Sequence, residues 1–274
     1  MEKVNYVTEE LRREILDFLY FDEIYNAILI EQIQNKANKY DGLYINKGDG
    51  KVTDILHIRN DGNSDLTNFS YSSEQGLENI AYQIKASNFN KILLAGKLEA
   101  VSSLLKVLNK EKSITPNTFY KLEEDKYRTI NIKLRSEIRR AATSDCDIET
   151  VKKFTVKFFE AETAEDIAEV TNNKKILDKI KTGVYILELD KNAIGMARFI
   201  GKTSNYVEIT SVYIDEKYRR NGFGKELIFH MIEIAINEGR TPILATSISN
   251  IAAIKTYENI GFVKYGDCAF EFLD

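Results

Sequence analysis

The clearest pattern of apolar and polar positions lies in residues 207–239, where two periodicities follow one another. The first is typical of a strand, because β-branched apolar residues occur at Val207, Ile209, Val212 and Ile214. After a polar turn, apolar residues recur at three- and four-residue steps until Gly239, at Leu227, Ile228, Met231, Ile232 and Ala235. The pattern therefore predicts a strand that runs through a turn into an amphipathic helix.

The turn between this strand and this helix has the composition of an anion site. It reads Arg219-Arg220-Asn221-Gly222-Phe223-Gly224, and Lys225 follows it. The first N–H groups of a helix lack intrahelical partners, and the helix dipole adds partial positive charge. Glycine also lets a ligand approach the backbone closely. The segment is suited to a phosphate or pyrophosphate, and an ordinary helix start with two flexible residues is the alternative interpretation.

Two familiar phosphate-binding sequences do not match this turn. A P-loop needs Ser or Thr after its lysine, whereas Glu226 follows Lys225, and its glycines are farther apart than Gly222 and Gly224. A dinucleotide-binding fingerprint needs a third glycine where Leu227 stands. What remains is the sequence R-x-x-G-x-G between a strand and a helix.

The other patterned segments predict an α/β protein with a mixed sheet. In the second half we expect strands at 137–141, 184–189, 193–200, 242–247, 262–264 and 269–273, with helices at 148–160, 161–180 and 250–260. In the first half we expect strands at 43–46, 52–59, 66–72, 91–95 and 117–123, a turn at 60–65, and helices after Thr8, over 74–86 and around Val101, Leu104, Leu105 and Leu108.

A second motif follows the predicted strand at 242–247. Residues 250–262 read N-x-x-A-x-x-x-Y-x-x-x-G-F, which puts Asn250, Ala253 and Tyr257 along one face of a helix. Together with R-x-x-G-x-G upstream, this motif closely resembles the acetyl-CoA site of the GCN5-related N-acetyltransferase (GNAT) superfamily. The resemblance covers residues 130–274 well and residues 1–129 weakly. It implies a GNAT fold in the second half, with a mixed, mostly antiparallel central sheet flanked by helices.

The resemblance also implies a role for each segment in binding acetyl-CoA. Backbone groups of the strand at Val212, Tyr213 and Ile214 would hold the pantetheine arm and the thioester carbonyl. The N–H groups of Arg219, Arg220, Asn221, Gly222, Phe223, Gly224 and Lys225 would hold the pyrophosphate. Asn250 would cap its helix and reach the ligand, and the small Ala253 would leave room for the arm. No metal is implied.

Two side chains are candidates for the chemistry. By the same resemblance, Tyr257 would donate a hydrogen bond or a proton to the departing thiolate. The alternative is a tyrosine that packs its ring in the core. Glu208 is the candidate base that takes the proton from the amine, and the alternative is an exposed strand residue.

The first half lacks a comparable motif. Its order of elements, including residues 20–35, resembles the divergent N-terminal half of two-domain GNAT proteins, so it is either a degenerate copy or a generic α/β domain. A degenerate copy would have lost acetyl-CoA binding and would shape the acceptor site or a dimer interface. We place the boundary near residue 130, giving domains 1–129 and 130–274. His57 is expected on the strand face opposite Leu56 and Ile58, a candidate surface position.

Length, net charge, apolar runs and cysteine count limit the classes of protein to which the chain can belong. The chain has 274 residues, enough for two domains, and a net charge of −4, which does not favour a general nucleic-acid binder. No apolar run predicts a membrane span, and the start lacks an apolar signal core. Two cysteines, Cys146 and Cys268, form no disulfide framework, so we expect a reducing, cytoplasmic compartment. The expected source is bacterial. Cys268 is expected to be a small buried residue and His230 a packing or surface residue.

These observations predict an acetyl-CoA-dependent N-acetyltransferase. The acceptor would be a primary amine of a small molecule or an amino acid, attacking directly in a ternary complex, with the enzyme a monomer or homodimer. A non-catalytic acyl-CoA-binding or regulatory protein is one alternative. A protein lysine or N-terminal acetyltransferase is the other.

Overall fold

The structure is a computed structural model that describes residues 1–35, 40–60, 65–87 and 91–273. In these residues it shows twelve strands, which form one continuous sheet. The strands are β1 (Glu2–Lys3), β2 (Leu43–Gly48), β3 (Lys51–Asn60), β4 (Asp65–Tyr71), β5 (Ile92–Lys97), β6 (Asn117–Leu122), β7 (Glu137–Arg140), β8 (Val184–Leu189), β9 (Asn192–Ile200), β10 (Tyr206–Ile214), β11 (Thr241–Ser247) and β12 (Phe262–Leu273). The helices are α1 (Glu9–Tyr20), α2 (Glu23–Asn35), α3 (Glu74–Ala86), α4 (Leu98–Val107), α5 (Glu124–Arg128), α6 (Asp145–Phe158), α7 (Ala164–Val170), α8 (Asn173–Gly183), α9 (Phe223–Asn237) and α10 (Ile251–Glu258).

The order of the strands relates the two halves of the chain to each other. It runs β1-β2-β3-β4-β5-β12-β6-β11-β10-β9-β8-β7. Neighbours pair antiparallel, except for the parallel pairs β4–β5 and β10–β11. Strands β1 to β5 followed by β12 therefore repeat the arrangement of β7 to β11 followed by β6. Each half contributes one strand to the other, since β6 lies between β11 and β12, and β12 lies between β5 and β6.

Helices cover both faces of the sheet. Ile55 packs with α1 and α2, whereas its neighbour Leu56 packs with α3 and α4, because successive strand residues point to opposite faces. In the second half, Met196 packs with α6 and α8 on one face, and Ala197 packs with α9 on the other. We call the side covered by α1, α2, α6 and α8 face A, and the side covered by α3, α4, α9 and α10 face B.

The amphipathic helix predicted after the glycine turn is α9. Its apolar stripe at Leu227, Ile228, Met231, Ile232 and Ala235 is fully buried on face B. Burial of each of the larger side chains contributes about 1.5–3 kcal/mol to stability. This packing fixes the direction of the helix, and therefore the point toward which its first N–H groups are aimed.

Two segments differ from the predicted elements. The predicted helix at 161–180 is two helices, α7 and α8, because the side chain of Asn172 accepts hydrogen bonds from the N–H groups of Lys174 and Lys175 and starts a new helix. The two strands predicted at 262–264 and 269–273 are one strand, β12, which continues through an irregularity between Lys264 and Gly266. The predicted turn at 60–65 falls on 61–64, outside the described residues.

The chain passes from the first half to the second after α5. The boundary near residue 130 stays a prediction, and β6, which precedes it, pairs with a strand of the second half on each side. None of the described helices has the length and apolar character needed to cross a bilayer.

Candidate functional site

The two parallel strands β10 and β11 separate along their length. They pair only at Tyr206–Thr241, Val207–Pro242 and Glu208–Ile243. On its other side β10 has an irregularity between Thr210 and Tyr213, where Ser211 adopts a positive φ of 53°. Such a bulge bends a strand. The second half of β10 therefore diverges from β11 and leaves an opening in the sheet.

Backbone groups of Val212, Tyr213 and Ile214 were predicted to line this opening. The N–H of Asp215 donates to the carbonyl of Ile194 in β9, so by strand alternation the backbone groups of Ile214 and Val212 face the opening. The Nε of Arg219 donates to the carbonyl of Ile214 there, at 3.0 Å. Tyr213 differs, because its backbone faces β9 and its ring packs against Phe154 in the core of face A.

The glycine turn lies where β10 leads into α9. Arg220 and Gly222 both have positive φ values, 62° and 87°. Gly222 is the N-cap of α9, and no side chain caps the helix there. Arg219, Arg220 and Asn221 are exposed, Lys225 is partly exposed, and the side chain of Phe223 is buried. The N–H groups of Arg219 and Lys225, predicted to hold an anion, instead donate to the carbonyls of Glu216 and Gly222, and those of residues 220–224 stay candidates.

Gly224 has open space on the side where a side chain would project. A Cβ built there would have Ile214 as its nearest neighbour, at 3.9 Å, an ordinary van der Waals contact. The residue therefore leaves the first turn of α9 accessible to a ligand without being required by the backbone conformation.

Arg135 lies against the glycine turn, and sequence reasoning missed it. Its guanidinium donates to the carbonyl of Asn221 and stacks on the ring of Phe223, 4.4 Å from the ring centre. It also donates to Glu226, whose buried carboxylate accepts five hydrogen bonds from Arg135 and Ser136. Burial disfavours the ionised form of Glu226, but the hydrogen bonds from Ser136 and Arg135 outweigh burial and lower its pKa. No regular sequence spacing links positions 135 and 226.

The second motif forms the start and inner face of α10. The side chain of Asn250 accepts a hydrogen bond from the N–H of Ala253, at 3.2 Å, and so caps the helix as predicted. Tyr257 is buried on face B, 8% exposed, between the rings of Tyr120 and Phe262. Burial raises the pKa of Tyr257 to about 12. Its hydroxyl has no hydrogen-bond partner among the described residues.

Tyr120 was not predicted to belong to the site. It comes from β6, the strand that the first half contributes, and its ring centre lies 6.4 Å from that of Tyr257. The site around Tyr257 is therefore built by both halves of the chain.

Glu208 lies on face A, so the alternative interpretation of an exposed residue is wrong. It is 6% exposed. Burial raises its pKa to about 7, while the charge of Arg198 works against this increase and that of Glu31 adds to it. Glu208 and Tyr257 thus lie on opposite faces of the sheet, and Glu208 is the last residue of β10 that pairs with β11.

In the first half, the turn from β4 into α3 corresponds to the glycine turn, and the carboxylate of Asp54 lies against it. Strands β4 and β5 pair only over Asp65–Asn68 and then separate. The turn into α3 carries no glycine pair, and Ser73 caps the helix by accepting from the N–H of Gly76. The buried carboxylate of Asp54 accepts from the N–H of Ser72 and would clash with a side chain at position 76.

The remaining candidates have structural positions. His57 was expected at a surface position, but α1 and α2 cover its face, so it is buried and hydrogen-bonds the side chain of Gln32 at 2.7 Å. His230 contacts the carbonyl of Ser136 at 3.1 Å. Cys268 is fully buried, and burial raises the pKa of its thiol to about 12, which fits a small packing residue.

Parts of the chain are similar to known acetyltransferase sequences. Residues 148–262 match the sequence model of the acetyltransferase (GNAT) family. A 60-residue segment is 43% identical to human N-alpha-acetyltransferase 30, and the mouse protein matches to the same extent. The segment spans 20% of this chain and 16% of the human protein, so the chain covers only a small part of these relatives.

Comparison with solved structures covers nearly the whole chain. A Drosophila protein aligns with a TM-score of 0.67 at 13% identity, over 97% of both chains. A tandem GNAT protein from the clavulanic acid biosynthesis pathway aligns with a TM-score of 0.62 at 10% identity, over 96% of this chain and 94% of its own. A GNAT-family acetyltransferase from Colwellia psychrerythraea aligns at 0.60 and 14% identity, over 99% and 100%. These are similarities of fold.

Proposed function

Because residues 148–262 form a domain of the acetyltransferase (GNAT) family, we propose that the chain transfers an acetyl group from acetyl-CoA to a primary amine. The observation that carries this proposal is the separation of β10 from β11, with the uncapped start of α9 after β10. An anion site next to a gap in a sheet suits a ligand with a pyrophosphate and an extended arm. The amine is that of a small molecule or amino acid.

Each part of the site has one task in this reaction. The N–H groups of residues 220–224 bind the pyrophosphate, because those of Arg219 and Lys225 already donate to the carbonyls of Glu216 and Gly222. The N–H groups of Val212 and Ile214, which face the opening, donate to the arm and to the thioester carbonyl as negative charge develops on its oxygen. Asn250 and Ala253 border the arm on the face of α10.

Glu208 and Tyr257 act from opposite faces of the sheet. The amine attacks the carbonyl carbon, a C–N bond forms, and the C–S bond breaks. Glu208, ionised above its pKa of about 7, takes the proton that the amine loses, directly or through water. Tyr257 donates a hydrogen bond to the departing thiolate. Full proton transfer is less favourable, because a thiol with a pKa of about 8.5 is more acidic than Tyr257 by about 3.5 units, or about 5 kcal/mol.

A second candidate function is acetylation of the N-terminal amine of a polypeptide. The identity of 43% over 60 residues to human N-alpha-acetyltransferase 30 favours it. The geometry of the acetyl-CoA site is common to both functions, so only the acceptor distinguishes them. A non-catalytic acyl-CoA-binding protein would have no use for the buried carboxyl of Glu208 beside the opening.

We infer that the first half does not bind acetyl-CoA. The carboxylate of Asp54 already accepts an N–H of the turn into α3, at the position that corresponds to the glycine turn of the second half. Its negative charge would repel a pyrophosphate. The first half instead supplies Tyr120 to the site and α2 above Glu208.

Two measurements test the proposed function. Calorimetric titration should give one acetyl-CoA bound per chain, and release of CoA should depend on an added amine. The amine panel should include small amines, amino acids and a short peptide with a free N-terminus. Binding without amine-dependent release would favour the regulatory alternative, and turnover of the peptide alone would favour the second candidate. No binding by the folded protein would end the acetyltransferase proposal.

Glu208→Gln should move the pH–rate profile toward higher pH. The rate of the wild type should rise as pH passes the Glu208 pKa of about 7, because the base acts in its ionised form. Glutamine cannot take a proton, so turnover then follows the neutral fraction of an amine whose pKa is about 10. The measurement is kcat/KM for one amine across about pH 6 to 10.

Thermal unfolding of the same variant is the control. The pKa of Glu208 is higher in the folded chain than its ordinary 4.5, so its contribution to stability is fully present below about pH 4.5 and is lost as pH rises through about 7. Glu208→Gln should therefore gain stability relative to the wild type at high pH, by on the order of 3 kcal/mol. This gain together with an unchanged rate profile would show a buried carboxyl that is not the base.

Arg135→Met should weaken acetyl-CoA binding about tenfold, or about 1.4 kcal/mol. The change removes a cation beside the glycine turn and releases the carbonyl of Asn221. It also leaves the buried carboxylate of Glu226 without its counter-charge below the anion site. Calorimetry measures the Kd, and thermal unfolding measures the accompanying loss of stability.

Arg139→Met is the matched control for this variant. Arg139 pairs with Asp147 and Glu188, away from the glycine turn, at 2.7 Å each, close to the 2.6 Å of Arg135 and Glu226. Its loss should lower stability and leave the Kd unchanged. If Arg135→Met behaves in the same way, Arg135 is a structural residue without influence on the ligand.

A further inference from the structure

The loop between β9 and β10 is held in place by the first half of the chain. The hydroxyl of Tyr20, at the end of α1, lies 2.8 Å from the hydroxyl of Ser204. The carboxylate of Glu23, at the start of α2, accepts hydrogen bonds from the N–H and the side-chain amide of Asn205, at 3.2 and 2.8 Å. This loop leads directly into β10, the strand that carries Glu208.

Glu31, about two turns farther along α2, holds the other end of the same loop. Its carboxylate accepts a hydrogen bond from the N–H of Gly201, at 2.8 Å. Gly201 has a positive φ of 59°, and a Cβ there would lie 3.1 Å from the Cβ of Ala27 on α2. The residue before it, Ile200, pairs with Glu208. The carboxylate of Glu31 is therefore fixed beside the residue that lies directly opposite Glu208.

Three ionisable side chains interact with the carboxyl group of Glu208, and each comes from a different element. They are Glu31 from α2, Arg198 from β9 and Cys268 from β12. The neighbour on β11, Ile243, carries no charge. Since burial raises the pKa of the Cys268 thiol to about 12, that group stays neutral at working pH. Among the described residues that act on Glu208, the negative charge thus comes from Glu31.

We propose that Glu31 is a positioning residue for the base Glu208, because it fixes the loop before β10 and its charge opposes ionisation of the Glu208 carboxyl group. Like charges repel more strongly where water is excluded, so a neighbouring carboxylate favours the protonated form of a buried one. The first half thereby sets the pH range in which the second half is active. This inference rests on the proposed acetyltransferase function and assigns the first half a part in it.

Glu31→Gln tests the effect of the charge. Glutamine keeps an oxygen that can accept the N–H of Gly201, but it carries no charge. The acid limb of the profile of kcat/KM against pH should move to lower pH by about 0.5–1 unit. At about pH 6 the variant should be about three- to fivefold faster than the wild type, and at about pH 9 the two should be equal. Glu31→Asp keeps the charge and should move the profile less.

Glu23→Gln is the matched control. Glu23 lies on the same helix and contacts the same loop, but it is not among the groups that act on Glu208. Its replacement should leave the pH profile in place. Equal shifts in Glu23→Gln and Glu31→Gln would trace the effect to the geometry of the loop and overturn the role of the Glu31 charge.

A cycle of unfolding measurements tests the same interaction without turnover. At high pH, Glu208→Gln should stabilise the fold, because it removes a buried carboxyl group that must ionise there. This gain grows with the difference between the ordinary pKa of 4.5 and the raised pKa of about 7. In the Glu31→Gln background the gain should be smaller by about a fifth to two fifths. Thermal unfolding of the four proteins at about pH 9 measures it.

The outcomes separate this inference from the proposed function. An unshifted rate profile in folded, active Glu31→Gln would overturn the inference and leave the acetyltransferase intact. If no amine is turned over, the proposed function fails, and the unfolding cycle decides the inference alone. A smaller gain in the Glu31→Gln background would support control of Glu208 by Glu31. Equal gains in both backgrounds would overturn it.

Discussion

Replacing Gly224 by glutamate should abolish acetyl-CoA binding while the protein remains folded. The new carboxylate would project into the open space at the first turn of α9, where the pyrophosphate is expected. Bulk and charge both oppose the ligand there, so we expect the affinity to fall by at least about 100-fold, or about 2.7 kcal/mol. Calorimetric titration measures the Kd directly.

Misfolding cannot explain such a loss, because the substitution should not destabilise the helix. A glycine inside a helix costs about 1 kcal/mol relative to alanine, and an acidic residue in the first turn interacts favourably with the helix dipole. The nearest atom to the new Cβ is 3.9 Å away. The melting temperature of Gly224→Glu should therefore equal or exceed that of the wild type.

Two matched variants separate the effect of the bulk of the new side chain from the effect of its charge. Gly224→Gln has the same bulk without the charge and should lose less affinity than Gly224→Glu. Gly224→Ala adds only a methyl group and should lose least. Equal affinity of the wild type and Gly224→Glu would mean that the ligand does not approach this turn, and the glycine turn would then be only a structural connection.

The second large effect is expected from Tyr257→Phe. Turnover should fall by about 100-fold, in the range found when one donor to a developing negative charge is removed. The ring, with its contacts to Tyr120 and Phe262, remains in place. Since the hydroxyl makes no hydrogen bond within the described part of the chain, its removal should leave stability and the Kd for acetyl-CoA nearly unchanged.

The measurement is kcat and the Kd on the same preparation. Tyr82→Phe, the same change at an exposed tyrosine on α3, is the control and should match the wild type in both. Equal losses of turnover and affinity in Tyr257→Phe would assign the hydroxyl a structural role. Because burial holds the pKa of Tyr257 near 12, its ionisation should not shape the rate profile below about pH 10.

The sequence predicted those features that arise from local patterns. The strand at Val207 and the helix stripe from Leu227 to Ala235 have different periodicities, so each could be recognised alone. Gly222 and Asn250 mark helix starts through backbone conformation and capping, which are also local. The GNAT fold of the second half followed from these motifs and is confirmed by the similarity of sequence and structure.

The features that sequence reasoning missed depend on contacts between distant parts of the chain. Arg135 meets Glu226 only because the connection between the halves crosses the start of α9. Tyr120 reaches Tyr257 only because β6 is inserted beside β11. The burial of Glu208 and His57 likewise depends on helices packed above their strands, and alternation along a strand does not reveal which face a helix will cover.

The exchange of strands between the halves has a consequence for how the chain is made. The edge of β5 pairs with β12, which leaves the ribosome only after roughly 170 further residues. At about 5–20 residues per second, synthesis takes roughly 10–35 seconds to supply that partner. During this interval the nascent first half presents an unpaired strand edge, a site for association with other chains. The second half, in turn, pairs with β6, a strand that is synthesised long before β12. The continuous sheet through both halves can therefore form only after β12 has been synthesised.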